Sequence, residues 1–169
     1  MDYHLQRQNT TLSLMSAIHM LYVILVSAMP VAELRGGLPL AGEYGFPPAM
    51  AFFIAVFGNL LPVIPLFVAL QQGERLLYRW TLTTRVTNWV FARTRRKGRF
   101  IARYGAIGLI LIVAIPLPAT GAWTGTIAAF LFGIPLRRAF PLIAAGVLIA
   151  GTIVLFAYLG AIRLFGISG

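Results

Sequence analysis

A chain of 169 residues that is 59% hydrophobic and 11% charged, with mean hydropathy +0.85, is too apolar for a soluble domain, and its length suits one compact unit. It has no Cys, and its two histidines (His4, His19) and four acids (Asp2, Glu33, Glu43, Glu74) are scattered, so no disulfide, metal centre, cofactor or catalytic triad is expected. The net charge of +10 is uneven, with nine of the fourteen basic residues between Arg75 and Arg103. Beside apolar blocks such a cluster reads as a cytoplasmic loop facing anionic headgroups rather than a nucleic-acid site.

In chain order, Met1–Ser13 is polar, and the first apolar block covers Leu12–Met29. Ser27-Ala28-Met29 is a poor signal-cleavage site, so this segment is expected to stay in the mature protein. A Pro- and Gly-rich stretch, Met29–Pro39, follows and predicts a helix interruption. The second block, Phe46–Leu70, is uncharged, with Pro62 and Pro65 expected to kink it. In the basic segment 73–103, Leu82, Val86, Trp89, Val90 and Arg93 recur at helical spacing. That pattern suits a helix lying in the membrane interface; a solvated linker is the alternative for Arg93–Arg99. The third block, Ala106–Phe132, is broken by Pro116, Pro118, Gly121 and Gly125, and the fourth, Ala139–Ile162, is uncharged.

About 20 apolar residues cross a bilayer as helix, so the second and fourth blocks are expected to span. Non-helical backbone at membrane depth survives only when packed in protein or lining a wet cavity. The first and third blocks therefore read as re-entrant hairpins. Aligning Pro30–Leu61 with Pro118–Ile149, 88 residues on, superposes Pro30/Pro118, Gly37/Gly125, Ala41/Ala129, Gly45/Gly133, Pro47/Pro135, Ala51/Ala139, Phe52/Phe140, Gly58/Gly146 and Leu60/Leu148. The expected fold is thus an all-α integral membrane protein of two inverted repeats. Each is a re-entrant helical hairpin plus one transmembrane helix (about 14–72 and 104–165), joined by the basic connector 73–103. With the connector cytoplasmic, Arg137 and Arg138 return to that side, Arg7 and Arg163 lie opposite, and both termini are outside. If Leu12–Met29 crosses fully instead, the N-terminus is inside.

Glu33 and Arg35 fall at the expected tip of hairpin one, beside Gly36 and Gly37. Charge at membrane depth is expensive and therefore a functional candidate. Glu33 can bind a proton or ion and Arg35 an anionic group; a structural ion pair closing the hairpin is the alternative. At the tip of hairpin two, Thr120, Gly121, Trp123 and Thr124 offer hydroxyls, an aromatic platform and freed backbone N–H groups suited to an anion, or simply small residues for close packing. Asn59 can line the path or bond across helices. His19 reads as a packed or interfacial residue, with a proton relay as the alternative. Arg93, Arg95, Arg96, Lys97, Arg137 and Arg138 are the candidates for lipid headgroups.

Two motifs, Pro30-Val31-Ala32-Glu33-Leu34-Arg35-Gly36-Gly37-Leu38-Pro39-Leu40-Ala41 and Ala114-Ile115-Pro116-Leu117-Pro118-Ala119-Thr120-Gly121-Ala122-Trp123-Thr124-Gly125 with Phe132-Gly133-Ile134, resemble the signatures of the small multidrug export protein family. The resemblance covers about Leu21 to Gly160. The layout is also remotely similar to the DedA/VTT superfamily, whose members are implicated in moving polyprenyl-phosphate or other lipids. Arg103-Tyr104-Gly105 and the run from Gly133 to Gly146 resemble its second half. The superfamily's essential acidic and basic residues carry over here only to Glu33 and Arg35, since hairpin two has no charge at its tip.

The expected function is membrane transport of a small or lipid-linked, anionic substrate through a midplane site, coupled to protons or sodium. The alternatives are an uncoupled lipid scramblase or carrier-lipid flippase, and a non-transporting scaffold. Membrane lipids and a second copy of the chain are the expected partners, since so few helices make a thin wall. The expected location is the inner or plasma membrane.

Overall fold

A computed structural model describes the backbone over residues 2–78, 106–116 and 120–165, and side-chain surroundings over 14–74, 106–116 and 120–164. Residues 79–103 of the basic connector, with its expected interfacial helix and headgroup candidates Arg93, Arg95, Arg96 and Lys97, lie outside the described residues, as does 117–119. Among the described residues the chain is all helix, with no strand: α1 (Asp2–Ala28), α2 (Glu33–Glu43), α3 (Pro48–Leu60), α4 (Val63–Tyr78), α5 (106–114), α6 (Ala122–Leu131) and α7 (Leu136–Phe165).

The interruptions are narrower than the Pro/Gly stretches suggest. Only residues 29–32 break the first hairpin; Gly36, Gly37 and Pro39 lie inside α2. Tertiary packing overrides their low helix propensity. A Cβ on Gly37 would collide with Ser27 Oγ, and one on Gly36 would stand 3.2 Å from Val26 Cγ1. Their bare faces let α2 lie close along α1, the small-residue packing typical of helices in lipid. His19 stacks on Tyr44 with ring centroids 4.1 Å apart, so it is a packing residue at the wide end of this helical pair. Contacts 27/37 and 19/44 together make α1 and α2 antiparallel.

The second pair is made the same way. Gly125 lies against Val113, and the Thr120 hydroxyl donates to the Ile115 carbonyl at 2.7 Å, so α6 folds back on α5. Both pairs leave by the same corner. After α2, Gly45 N–H donates to Gly42 O and Phe46 N–H to Ala41 O; after α6, Gly133 N–H donates to Phe130 O and Ile134 N–H to Ala129 O. These are Schellman bonds, and Gly45 (φ 75) and Gly133 (φ 70) supply the left-handed residue each needs. A proline two residues later then ends the possibility of continuing the helix.

Among the described residues, two apolar stretches are long enough to cross a membrane: Pro48–Glu74 (27 residues) and Leu136–Leu164 (29 residues), about 40 Å of helix each. Phe53 (67% exposed), Phe57 (60%) and Phe156 (69%) point outward from them. Water would penalise such rings on the surface, whereas lipid accepts them. The first of these stretches bends at Leu61–Pro62. Pro62 has no N–H for the Gly58 carbonyl, which instead accepts from Leu61 N–H at 3.3 Å. The core uses small side chains: Ala41, Ala51, Ala55, Ala122, Ala129, Ala139 and Ala150 are all buried. Around them α2 packs on α3 and α7, and α6 on α4 and α7. The tips of the two hairpins consequently meet inside the protein.

Candidate functional site

Glu33 is the residue on which the tip of hairpin one turns, and among the described residues it alone among non-glycines has positive φ, at 46°. An L-residue there carries a steric cost of roughly 1–2 kcal/mol, so something must hold it. Its side chain is 6% exposed and reaches out of its own hairpin to the start of α6. There the backbone N–H of Trp123 donates to the carboxylate. The position before α6 is Gly121, which has no side chain to cap the helix; a Cβ built on it would fall on the Glu33 carboxyl group. Glu33 therefore takes the place of an N-cap supplied from another element, an anion at the positive end of a helix. Thr124 completes the turn: its hydroxyl accepts from Gly121 N–H at 2.9 Å and lies 3.2 Å from the Gly121 carbonyl, to which it donates.

Two further bonds tie the tips. Arg35 Nη2 donates to the Thr120 carbonyl at 3.0 Å. Trp123 Nε1 donates to the Ala28 carbonyl at 3.0 Å, satisfying one of the orphan acceptors at the end of α1. Each hairpin thus fills the unmet backbone groups of the other. The i, i+2 spacing of Glu33 and Arg35 is used as it permits, with each side chain turned toward hairpin two.

Between the tips lies a small cavity of about 10 Å³, room for about one water, lined by Glu33, Leu34, Arg35, Asn59, Thr120 and Gly121 with Val113, Pro116, Ala150 and Val154. Asn59 is 1% exposed, and among the described residues its Oδ1 accepts no hydrogen bond. An unmet acceptor in so dry a place is costly, and it leaves an oxygen available at the wall of a charged cavity. No group of three or more His, Cys, Asp or Glu able to hold a metal exists among the described residues.

Of the residues expected at the site, Glu33, Arg35, Asn59, Thr120 and Gly121 line this cavity, and Trp123 and Thr124 stand just behind it. Gly36 and Gly37 lie on the α1 side of α2, where they permit close approach. Arg137 and Arg138 are exposed at the first turn of α7, a full α6 length, about 15 Å, from the tip. The apolar wall (Leu34, Val113, Pro116, Ala150, Val154) and the Ala28 carbonyl had no signal in the sequence, because they carry no chemistry of their own until the helices cross.

No curated protein and no solved structure matches the chain. A family model does, over residues 33–153, from the strained glutamate through the tip of hairpin two and well into α7. A match over that much of the chain, on a helical protein with two membrane-length apolar stretches, decides the matter: the chain belongs to the membrane protein family described as "Putative small multi-drug export protein".

Proposed function

We propose that the protein is a transporter whose substrate, small or lipid-linked and anionic, passes between two re-entrant hairpins meeting near the membrane midplane. One observation carries this reading: a buried carboxylate and a guanidinium from one broken hairpin satisfy the backbone of another, around a cavity. Charges are retained at such depth when they have work to do. In this reading the hairpins and the spans that follow them form two inverted repeats. The repeat is supported by the pair of Schellman corners and by glycine pairs that grip the preceding helix alike: Gly37 and Gly58 on Ser27, Gly125 and Gly146 on Val113. The basic connector then faces the cytoplasm, Arg137 and Arg138 lie at that surface, and the protein resides in the inner or plasma membrane.

Glu33 serves as the proton site. Ionised, it holds the N-terminus of α6; protonated, it no longer offers a full charge to that helix end and gains an O–H donor in a cavity that Asn59 also lines. Loss of the charge loosens the tips and frees the α6 N–H groups and Arg35 for an anionic substrate. Sodium in place of the proton would use the same two oxygens. The alternative without coupling, a lipid scramblase, needs the hairpins but not the titration of Glu33.

The test is reconstitution in vesicles with a pH gradient, screening anionic solutes and lipid-linked phosphates, with Glu33→Gln alongside the wild type. Proton flux that accompanies substrate in the wild type and disappears in Glu33→Gln is the expected result. If neither protein moves any substrate or proton, the transport reading fails; if both move lipid equally at every pH, scrambling replaces it.

A further inference from the structure

The two halves differ at a place remote from the charged tips. Where hairpin two packs on the first span, Phe130 on α6 meets Phe67 on α4 edge-to-face, with ring centroids 6.0 Å apart. The positions 88 residues away, where hairpin one packs on the second span, are Gly42 on α2 and Leu155 on α7. Replacing two phenyl rings by a hydrogen and an isobutyl group leaves a void. The structure has one there, a pocket of about 160 Å³ between the end of α2, the start of α3 and the end of α7. Its walls are apolar (Leu38, Phe46, Ala51, Leu155, Leu159) apart from Tyr158, whose hydroxyl stands over the bare face of Gly42. That hydroxyl makes no hydrogen bond among the described residues. On the first span the position equivalent to Tyr158 is Leu70. The pocket thus comes with a polar group that the equivalent position on the first span lacks.

We propose that this pocket is a binding site for an anionic membrane lipid, which lays an acyl chain between α2 and α7 and its phosphate toward Tyr158 and Arg163. The apolar walls select hydrocarbon, which membrane surroundings supply at the helix surface. The charge selects the head: Arg163 is exposed and lies one helical turn beyond Leu159, on the face that lines the pocket. Glu43, next to Gly42, is exposed and is the one acid near this end of α2; an anionic head must keep to the α7 side. Tyr158 offers the neutral donor that a phosphate or ester oxygen needs beside the guanidinium. The site is separate from the Glu33 cavity, and its occupancy does not depend on whether the protein transports anything.

The experiment measures lipid retained by the full-length protein, by native mass spectrometry after extraction from vesicles of equal parts phosphatidylglycerol and phosphatidylcholine. The wild type should retain phosphatidylglycerol in preference to phosphatidylcholine. Transplanting the residues of the equivalent positions (Gly42→Phe, Leu155→Phe and Tyr158→Leu together) fills the pocket and should cut retention about ten-fold, the effect of about two methylenes losing apolar contact. Arg163→Gln, which touches no core contact, should keep lipid but abolish the preference for phosphatidylglycerol. Equal retention by wild type and a folded triple variant overturns the proposal. If the triple variant does not fold, Arg163→Gln decides: an unchanged preference overturns the proposal, and a lost one upholds it.

Discussion

The two helical pairs have the same frame and different contents. In each, a glycine on the second helix and a glycine on the following span close around one side chain of the first helix, and a Schellman corner with Gly-x-Pro leads to the span. Yet at the turning residue the first pair has Glu33 at φ 46, where the second has Gly121 at φ 148. The side chain that strains one tip is the one that fills the other. Shape is shared between the halves, while charge sits in only one, so the site exists only where both meet.

The largest effect expected from breaking this frame is at the span glycines, and it should be unequal. A Cβ on Gly58 would stand 2.7 Å from the Ile24 carbonyl oxygen and 2.9 Å from its Cα, backbone that cannot yield. A Cβ on Gly146 would meet chiefly Val113, at 2.6 Å from its Cβ, with the Ile110 carbonyl farther away at 3.0 Å. Gly58→Ala should therefore cost ~3 kcal/mol or more, and Gly146→Ala less, compared by thermal melting in the same detergent. If Gly146→Ala proves the worse, the helix grip is not set by backbone approach.

Next in size, Gly121→Ala puts a methyl group where the Glu33 carboxyl lies and strains an unfavourable backbone. It should cost ~1–3 kcal/mol and abolish substrate flux, while Glu33→Gln keeps the fold and loses only the proton dependence. Equal flux in Gly121→Ala and wild type would mean that the carboxylate does not need the α6 terminus. Trp123→Phe keeps the ring and deletes the bond to Ala28, a loss of ~1 kcal/mol in melting. The smallest effect belongs to Ser27→Ala. Ser27 Oγ is fully buried without a partner among the described residues, so removing it should be neutral or slightly stabilising, within ~0.5 kcal/mol. A marked loss there would show that Ser27 has a partner in the membrane.

Local chemistry made part of this readable from sequence. Gly45-x-Pro47 and Gly133-x-Pro135 specify their corners within six residues, by needing a left-handed residue and then forbidding helix. Pro62 likewise bends its span wherever that span lies. The readings of Met29–Pro39 and Ile115–Gly125 as broken were right about the breaks and too wide in extent. Gly36, Gly37 and Gly125 are helical because another helix lies against them, which propensity alone does not register.

The sequence by itself determined a lipid-dwelling helical chain, its two long apolar stretches, the helix breaks at Pro30 and Pro116, and an acid and a base beside the first break. These follow from transfer free energies and backbone sterics that act over a few residues. Only the tertiary structure decided that Glu33 caps α6 and Arg35 reaches Thr120, that Asn59 has an oxygen unmet among the described residues, and that Gly42 borders a pocket. Those outcomes depend on distances between segments some ninety residues apart, which packing alone sets.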